Sequence, residues 1–307
     1  MTGNQILGVQ EVDVQPGILT DRSADIFGFL REALAAGHRC ALVTLVEIID
    51  GASRALGAHM AVCDDGRYCG FVSGGCVEAA VAREALYAIS EETDRLCRFG
   101  KGAHYFDIVL PCGGGICLTI HVLKKADTID IVLDALTQRR PIGLIYDPRR
   151  QQLSIHHDPS PAGWRNSLFL TAYRPDPRIL LFGKGLEGRT FASIASSAGL
   201  DVIPAEPNSI STFADAETAI VLLHHDVDQE LPVLRFALRT DAFYIGCLGS
   251  RRTHDRRKDL LRQEGYSPEQ LDRIHAPIGL FGPAREARFV AVSVLAEVLS
   301  NVELRRL

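Results

Sequence analysis

Hydrophobic residues along the first half of the chain follow two different spacings. Between residues 24 and 37 they recur at the spacing of one helical face, whereas residues 40–49 form a β-branched apolar run typical of a buried strand. Residues 59–72 form two apolar segments joined at Asp65–Gly66, which predicts a hairpin. The same patterns predict helices over 77–90 and 127–138 and strands over 95–100, 105–110, 116–123 and 141–147. Together these segments predict a mixed α/β domain over residues 1–156.

The pattern changes at Arg178, where apolar strands begin to alternate with helical segments. Residues 178–206 predict a strand, a glycine turn, a helix and a second strand, and further apolar strands cover 219–225 and 242–250. This alternation is typical of a parallel sheet with helices on both faces, so residues 178–307 are expected to form a Rossmann-like parallel-sheet domain. Residues 157–177 contain four prolines and the only tryptophan, without a clear period, which predicts a linker. The predicted fold class is therefore α/β, with two domains.

Composition and charge narrow the classes of function. Of 307 residues, 47% are hydrophobic and 23% charged, and the formal net charge is −5. A net negative chain has no general attraction for nucleic acid or for anionic membranes, so neither is expected as a partner. The N-terminal sequence has neither a basic start nor a continuous apolar core, which predicts a cytoplasmic protein.

The eight cysteines form no C-x-x-C pair, so they are expected to be free thiols rather than ligands of a zinc ribbon. Cys40, Cys63, Cys97 and Cys117 lie in apolar, strand-like segments and are interpreted as small core residues.

A glycine motif opens the second domain. Gly183, Gly185 and Gly188 fit G-x-G-x-x-G between a predicted strand and helix, the context in which such a turn binds phosphate, and Glu206 follows the second strand, where a carboxylate can accept hydrogen bonds from a ribose. A dinucleotide or another phosphorylated ligand is one interpretation, and a turn that only reverses the chain is the other. The end of the third strand offers candidate polar groups for chemistry, namely His224, His225 and Asp226.

A second polar turn follows the strand at 242–250. Gly249, Ser250 and Arg251 combine backbone donors, a hydroxyl and a guanidinium group, which suits an anion. For Arg256, Arg257 and Lys258 an exposed basic helix face is the preferred interpretation.

Two glycine loops in the first domain each carry a cysteine. The first contains Ser73, Gly74, Gly75, Cys76 and Glu78 at a predicted helix start, where free N–H groups and the helix dipole stabilise a thiolate. The second contains Cys112, Gly113 and Gly114. If both loops line one cleft, Cys76 and Cys112 suit a molybdenum or sulfur-bearing ligand better than a hard cation. The alternative is a buried cysteine beside an ordinary glycine turn.

These motifs, taken in order, are similar to those of the XdhC/CoxI family of accessory proteins for xanthine dehydrogenase and related molybdenum hydroxylases. The resemblance extends from about Ala41 to Val298 and rests on GASRALGAHM, DDGRYCGFVSGGCVE, LPCGGG, the glycine turn, YIGCLGSRRTHDRR and RIHAPIGL. It implies a chaperone without turnover of its own that binds molybdenum cofactor, as molybdopterin or its cytosine dinucleotide form, while a cysteine desulfurase supplies the terminal sulfido group. The recipient implied is an apo molybdenum hydroxylase, and a homodimer is compatible with the sequence.

Some positions depart from the family pattern. Ala52-Ser53-Arg54 lacks the proline of the family's serine-proline-arginine turn, and Phe281-Gly282-Pro283-Ala284 and Phe289-Val290-Ala291 stand where two carboxylates are usual. Phe281 and Phe289 are candidates for a partner interface. The alternative function is an NAD(P)-dependent oxidoreductase that uses the glycine turn, Glu206 and the His224–Asp226 loop. A scaffold that only stabilises the hydroxylase is the third hypothesis.

Overall fold

The computed structural model describes residues 12–103, 113–207, 210–224 and 226–305. The chain divides into two compact units, Met1–Arg174 and Pro175–Leu307. The first unit contains helices α1 (Ser23–Ala35), α2 (Glu78–Glu91) and α3 (Asp127–Thr137) and strands β1 (Gln15–Pro16), β2 (Cys40–Ile49), β3 (His59–Cys63), β4 (Arg67–Gly70), β5 (Arg95–Gly100), β6 (Gly115–Leu123), β7 (Ile142–Asp147), β8 (Gln152–His156), β9 (Gly163–Arg165) and β10 (Leu168–Tyr173).

A six-stranded sheet in the order β1-β4-β3-β2-β6-β5 forms the centre of the first unit. Successive side chains of a strand point to opposite faces, so an apolar run covers both. Ala41, Val43 and Leu45 accordingly pack in the core on the α2 face, while Cys40 and Leu42 pack with α1 and α3 on the other. The predicted hairpin at Asp65–Gly66 is confirmed as the antiparallel pair β3 and β4.

A second sheet, in the order β8-β7-β10-β9, completes the first unit. Residues 163–173, which the sequence analysis assigned to a linker, form β9 and β10, and β10 pairs antiparallel with β7. Phe169, Leu170 and Tyr173 supply the buried side chains that hold this segment in the sheet. The boundary between the two units falls at 174/175, near the end of the segment predicted as a linker. The strand predicted over 105–110 lies outside the described residues.

Two buried polar networks join the two sheets. His59 Nε2 on β3 hydrogen-bonds with Tyr173 Oη on β10 at 2.6 Å. Asp94 Oδ2 accepts a hydrogen bond from Tyr146 Oη on β7 at 2.8 Å and lies 2.7 Å from His121 Nδ1 on β6. Buried polar groups require partners, so these bonds fix the position of one sheet on the other.

The second unit is a parallel sheet with helices on both faces, as the sequence predicted. It contains strands β11 (Arg178–Phe182), β12 (Asp201–Pro204), β13 (Thr218–Leu222), β14 (Tyr244–Cys247) and β15 (Ile274–His275) and helices α4 (Leu186–Ser197), α5 (Ile210–Phe213), α6 (Val227–Ala237), α7 (Arg251–Gln263), α8 (Pro268–Leu271) and α9 (Ala287–Leu304).

The strand order of this sheet, β12-β11-β13-β14-β15, identifies where ligands are expected to bind. The chain leaves β11 for β12 on one side and continues to β13 on the other, so the order reverses between β11 and β13. In open parallel sheets ligands bind at the carboxyl ends of the strands at such a point. Within the described part of the chain, no helix is both long and apolar enough to cross a membrane.

Candidate functional site

The loop between β4 and α2 is held in shape by the carboxylate of Glu78. Its Oε1 accepts hydrogen bonds from the backbone N–H groups of Val72 (3.2 Å) and Ser73 (2.8 Å), and its Oε2 accepts one from Val77 N–H (3.2 Å). Ser73 Oγ donates to the same carboxylate and accepts a hydrogen bond from Cys76 N–H at 3.2 Å. Glu78 and Ser73 are buried, and both side chains form their hydrogen bonds within the loop.

The outer part of this loop is exposed. Gly74, Gly75 and Cys76 are all open to solvent, and Gly75 has a φ of 97°, a conformation that favours glycine. Cys76 is the exposed thiol among the free cysteines of the described residues, and the other six are buried. The prediction that Cys40, Cys63, Cys97 and Cys117 are core residues is confirmed.

Three loops meet at one edge of the six-stranded sheet. A Cβ placed on Gly74 would lie 3.3 Å from Ser53 Oγ, and one on Gly114 would lie only 2.2 Å from the Gly51 carbonyl oxygen. Gly114 is buried and fits there because it has no side chain, whereas Gly113 is exposed with a φ of 70°. The segment from Gly51 to Ser53 therefore lies against both predicted glycine loops.

Cys76 and Cys112 as metal ligands remain a prediction. Cys112 lies outside the described residues, and among those that are described no group of three or more His, Cys, Asp and Glu side chains is arranged to hold a metal ion. Of the two predicted thiol ligands, Cys76 is the one that the structure describes, and it lies on the exposed surface of its loop.

The glycine turn of the second unit lies at the carboxyl end of β11. Gly183 has a φ of 138°, and a Cβ on Gly188 would lie 2.0 Å from the Gly183 carbonyl oxygen, so α4 approaches the turn as closely as only glycine permits. Gly185 directly precedes α4. The turn thus has the form that the sequence predicted, at the point where the strand order reverses.

Glu206 lies beside this turn. Its Oε1 is 2.7 Å from Lys184 Nζ in an exposed ion pair. The hydrogen bond and charge of Lys184 hold the pKa of Glu206 below its usual value, and the charge of His224 acts in the same direction. The predicted carboxylate is therefore at the glycine turn, already paired with a cation.

The polar residues that follow β13 and β14 cap the helices that begin there. Asp226 Oδ1 accepts a hydrogen bond from Asp228 N–H at 3.0 Å and caps α6, and Ser250 Oγ accepts one from Thr253 N–H at 3.2 Å and caps α7. Gly249 has a φ of 131°, and Arg251 is exposed as the first residue of α7. His225 lies outside the described residues.

The prediction that Arg257 lies on an exposed helix face is wrong. Its guanidinium group is fully buried, with Nε and Nη2 at 2.9 and 2.6 Å from Glu230 Oε2 of α6. Nη2 also donates to the Leu248 carbonyl at 3.0 Å, because the side chain extends back along α7 toward the end of β14. Arg256 is exposed as predicted.

Comparison with known proteins identifies the family. The model for the XdhC and CoxI family matches residues 33–100, and that for the XdhC Rossmann domain matches residues 179–298. The molybdenum cofactor insertion chaperone PaoD of Escherichia coli K12 is 48% identical over 288 residues, which cover 93% of this chain and 91% of PaoD. The chain belongs to the XdhC and CoxI family.

Two more distant proteins are also similar to this chain. A probable xanthine dehydrogenase subunit of Bacillus subtilis 168 is 24% identical over 85% of this chain and 92% of its own length. A crystal structure of a xanthine dehydrogenase from Bacillus halodurans is 19% identical and superposes with a TM-score of 0.70, covering 91% of this chain and 96% of that one. The second comparison shows that the two chains share a fold.

One part of this candidate site was not predicted from the sequence of this XdhC and CoxI family protein. The loop between β2 and β3 appeared there as the motif GASRALGAHM and as a departure from the family turn, without an assigned site residue, yet Gly51 lies against Gly114 and Ser53 lies against Gly74. The available signal was three small residues in succession after a predicted strand, Gly51, Ala52 and Ser53. They do not reveal which other loop they touch, because that depends on the antiparallel pairing of β2 with β6.

Proposed function

We propose that this protein binds molybdenum cofactor and delivers it to an apo molybdenum hydroxylase, acting in the cytoplasm as a chaperone without turnover of its own. The observation that carries the proposal is the exposed Gly74–Gly75–Cys76 segment, held from within by Glu78, in a chain 48% identical to a molybdenum cofactor insertion chaperone. The cofactor is the cargo, an anionic pterin that carries a phosphate and a dithiolene-bound metal.

The chemistry of the loop suits a cargo that must be released. Backbone N–H groups at a glycine turn stabilise an anion without enclosing it. A thiolate is a soft ligand for molybdenum and exchanges more readily than a closed set of protein ligands. In this proposal Cys76 contacts or shields the metal, and Cys112 is the second candidate thiol.

The second unit supplies a candidate nucleotide site. Gly183, Gly185 and Gly188 form a phosphate-binding type of turn with Glu206 beside it, and Gly249, Ser250 and Arg251 lie at the carboxyl end of β14. A cytosine dinucleotide form of the cofactor would give this turn a direct role. Sulfuration of the bound cofactor by a cysteine desulfurase, and a homodimeric state, are further parts of the proposal.

The first experiment is to purify the protein anaerobically from a host that makes molybdenum cofactor and to measure molybdenum, pterin and nucleotide per chain. Pterin together with molybdenum is the expected result. Nucleotide alone, with steady reduction of a nicotinamide, would favour the NAD(P)-dependent oxidoreductase. A chain that binds an apo hydroxylase but no pterin would favour the scaffold.

Variants of the two thiols test the proposed metal contact. Cys76→Ala and Cys112→Ala are expected to reduce bound molybdenum while the circular dichroism spectrum stays unchanged. Cys247→Ala is the matched control, because it removes a buried thiol from the core of the second unit. Unchanged molybdenum in both single variants and in the double variant would remove the thiols from the mechanism.

A further inference from the structure

The loop between β2 and β3 contains a cation that the proposed function has not used. Arg54 directly follows Ser53 in this loop, and the Ser53 hydroxyl lies beside Gly74 of the exposed Gly74–Cys76 segment. Only 28% of the Arg54 side chain is exposed. A half-buried cation next to backbone donors is a common element of anion sites.

The hydrogen bonds of Arg54 are incomplete. Its Nη1 donates to Asp21 Oδ2 at 2.9 Å, whereas its Nε is buried and has no hydrogen-bond partner among the described residues. A buried donor without an acceptor is unfavourable, so the group gains most from a ligand with several acceptor oxygens. Asp21 supplies one such bond and is itself 61% exposed, so its carboxylate can turn to water when a stronger acceptor reaches Arg54.

Two other cations of the described residues are paired with carboxylates on β2 or directly after it. Lys101 Nζ contacts Asp50 Oδ2, and Arg98 lies 3.1 Å from Glu47. Arg54 differs from them because its hydrogen-bond set is incomplete and because it follows Ser53, whose Oγ lies beside Gly74. Of these three cations it is therefore the one best placed to receive an anion.

We propose that Arg54 and Ser53 bind the phosphate group next to the pterin of the cargo, and that Asp21 pairs with the Arg54 guanidinium group until that phosphate arrives. The proposal rests on the proposed function, since it assigns one part of the cargo to one group of the chain. Binding exchanges the Asp21–Arg54 ion pair for a bidentate guanidinium–phosphate contact, with Ser53 Oγ as a further donor. No covalent bond changes.

The test uses the full-length protein from a host that cannot make the cofactor, titrated with inorganic phosphate at constant ionic strength. The readouts in a nitrogen-15 spectrum are the backbone N–H resonance of Gly74, which every variant keeps, and the Nε–H resonance of Arg54 in the chains that retain it, assigned by its absence in Arg54→Lys. We expect Arg54→Gln to abolish the phosphate response and Asp21→Asn to tighten binding by about 3- to 10-fold, because a competing carboxylate is removed. Arg39→Gln is the matched control, since Arg39 pairs with Asp64 at the opposite end of β2.

A second readout measures pterin per chain after anaerobic purification from the cofactor-producing host. Arg54→Gln is expected to lose most of the pterin that Arg39→Gln retains. Wild-type levels of pterin in Arg54→Gln, or phosphate affinity unchanged in both Arg54→Gln and Asp21→Asn, would overturn the assignment of Arg54. If Arg54→Gln does not fold, the Asp21→Asn titration still decides.

The two proposals fail in different ways. Pterin in the wild-type protein without any phosphate response at Arg54 would leave the chaperone function standing and remove the Arg54 site. A phosphate response at Arg54 in a protein that never carries pterin would support the Arg54 phosphate site and remove the chaperone function.

Discussion

Cys76 is exposed because the residues on either side of it are fixed from inside the loop. Ser73 and Val77 both donate to the Glu78 carboxylate, so the short segment between them has no route into the core. Each hydrogen bond to a charged group contributes about 1.5–3 kcal/mol, enough to hold a tight turn of this length. The position of the thiol is thus a consequence of the carboxylate beneath it.

This arrangement makes the reactivity of the cysteines predictable. In the folded protein Cys76 should react with iodoacetamide well before the six buried cysteines, because alkylation requires access to the sulfur. Mass spectrometry of peptides after short exposures measures the order. Cys76→Ser should remove the early product, and a buried cysteine such as Cys69 reacting as quickly as Cys76 in native buffer would contradict the structure.

For single residues, a sequence pattern predicts the position of a polar side chain but not its hydrogen-bond partner. Asp226 and Ser250 are in the places predicted, but their side chains cap helices, since a hydroxyl or carboxylate before a helix satisfies its own N–H groups first. Glu78, which the sequence predicts as a cofactor-binding residue, is buried and accepts hydrogen bonds from its own loop. A polar residue in a turn has both local and ligand partners available, and spacing does not distinguish them.

Helices α6 and α7 are joined by the buried pair of Glu230 and Arg257. The two side chains are 2% and 0% exposed, so each charge depends on the other for compensation. Arg257 stands in a strongly basic stretch, and periodicity alone cannot separate one inward-pointing arginine from its exposed neighbours.

Removing one member of this pair should therefore be strongly destabilising. Glu230→Ala is expected to lower the free energy of unfolding by about 3–5 kcal/mol, because it leaves the Arg257 guanidinium buried without a counter-charge. The measurement is chemical denaturation followed by circular dichroism. Glu264→Ala, which breaks the exposed pair with Arg235 on the same helix α6, should cost less than about 1 kcal/mol. Equal effects of the two substitutions would show that Arg257 is not buried in solution.

At the level of elements, long apolar runs were predicted well and proline-rich segments were not. The run over 40–49 predicted a central strand because apolar side chains alternate onto both of its faces, and its first seven residues are all buried. β10 was missed because the prolines around it suggested irregular chain, although Phe169, Thr171 and Tyr173 alternate at strand spacing toward one face. Its pairing with β7 depends on contacts that no local pattern contains.

The first unit as a whole carries a pH-dependent contribution to stability. Burial lowers the pKa of His59 from 6.5 to about 4, so the unfolded chain binds more protons than the folded one between these values. Stability is then highest above pH 6.5 and falls as the pH drops toward 4, by about 3 kcal/mol in total.

Denaturation curves at a series of pH values test this expectation. His59→Gln should lower stability overall yet remove the dependence of the unfolding free energy on pH between 6.5 and 4, while Tyr173→Phe should keep this slope because His59 still titrates.

Burial alone would raise the pKa of Asp94, but hydrogen bonds from His121 and Val122 lower it below 3.8. A separate loss of stability should therefore begin below pH 3.8 in both variants. A slope that persists in His59→Gln would assign it to another group.

The hydrogen bonds that the Glu78 carboxylate accepts from its own loop also have a kinetic consequence. A loop that has its shape before any ligand arrives loses little conformational entropy on binding, and no slow rearrangement precedes the encounter. Such a loop returns to the same empty form after each release. For a carrier, the residence time of the cargo would then be set by the few contacts the loop makes and by the receiving protein, not by refolding of the carrier between rounds.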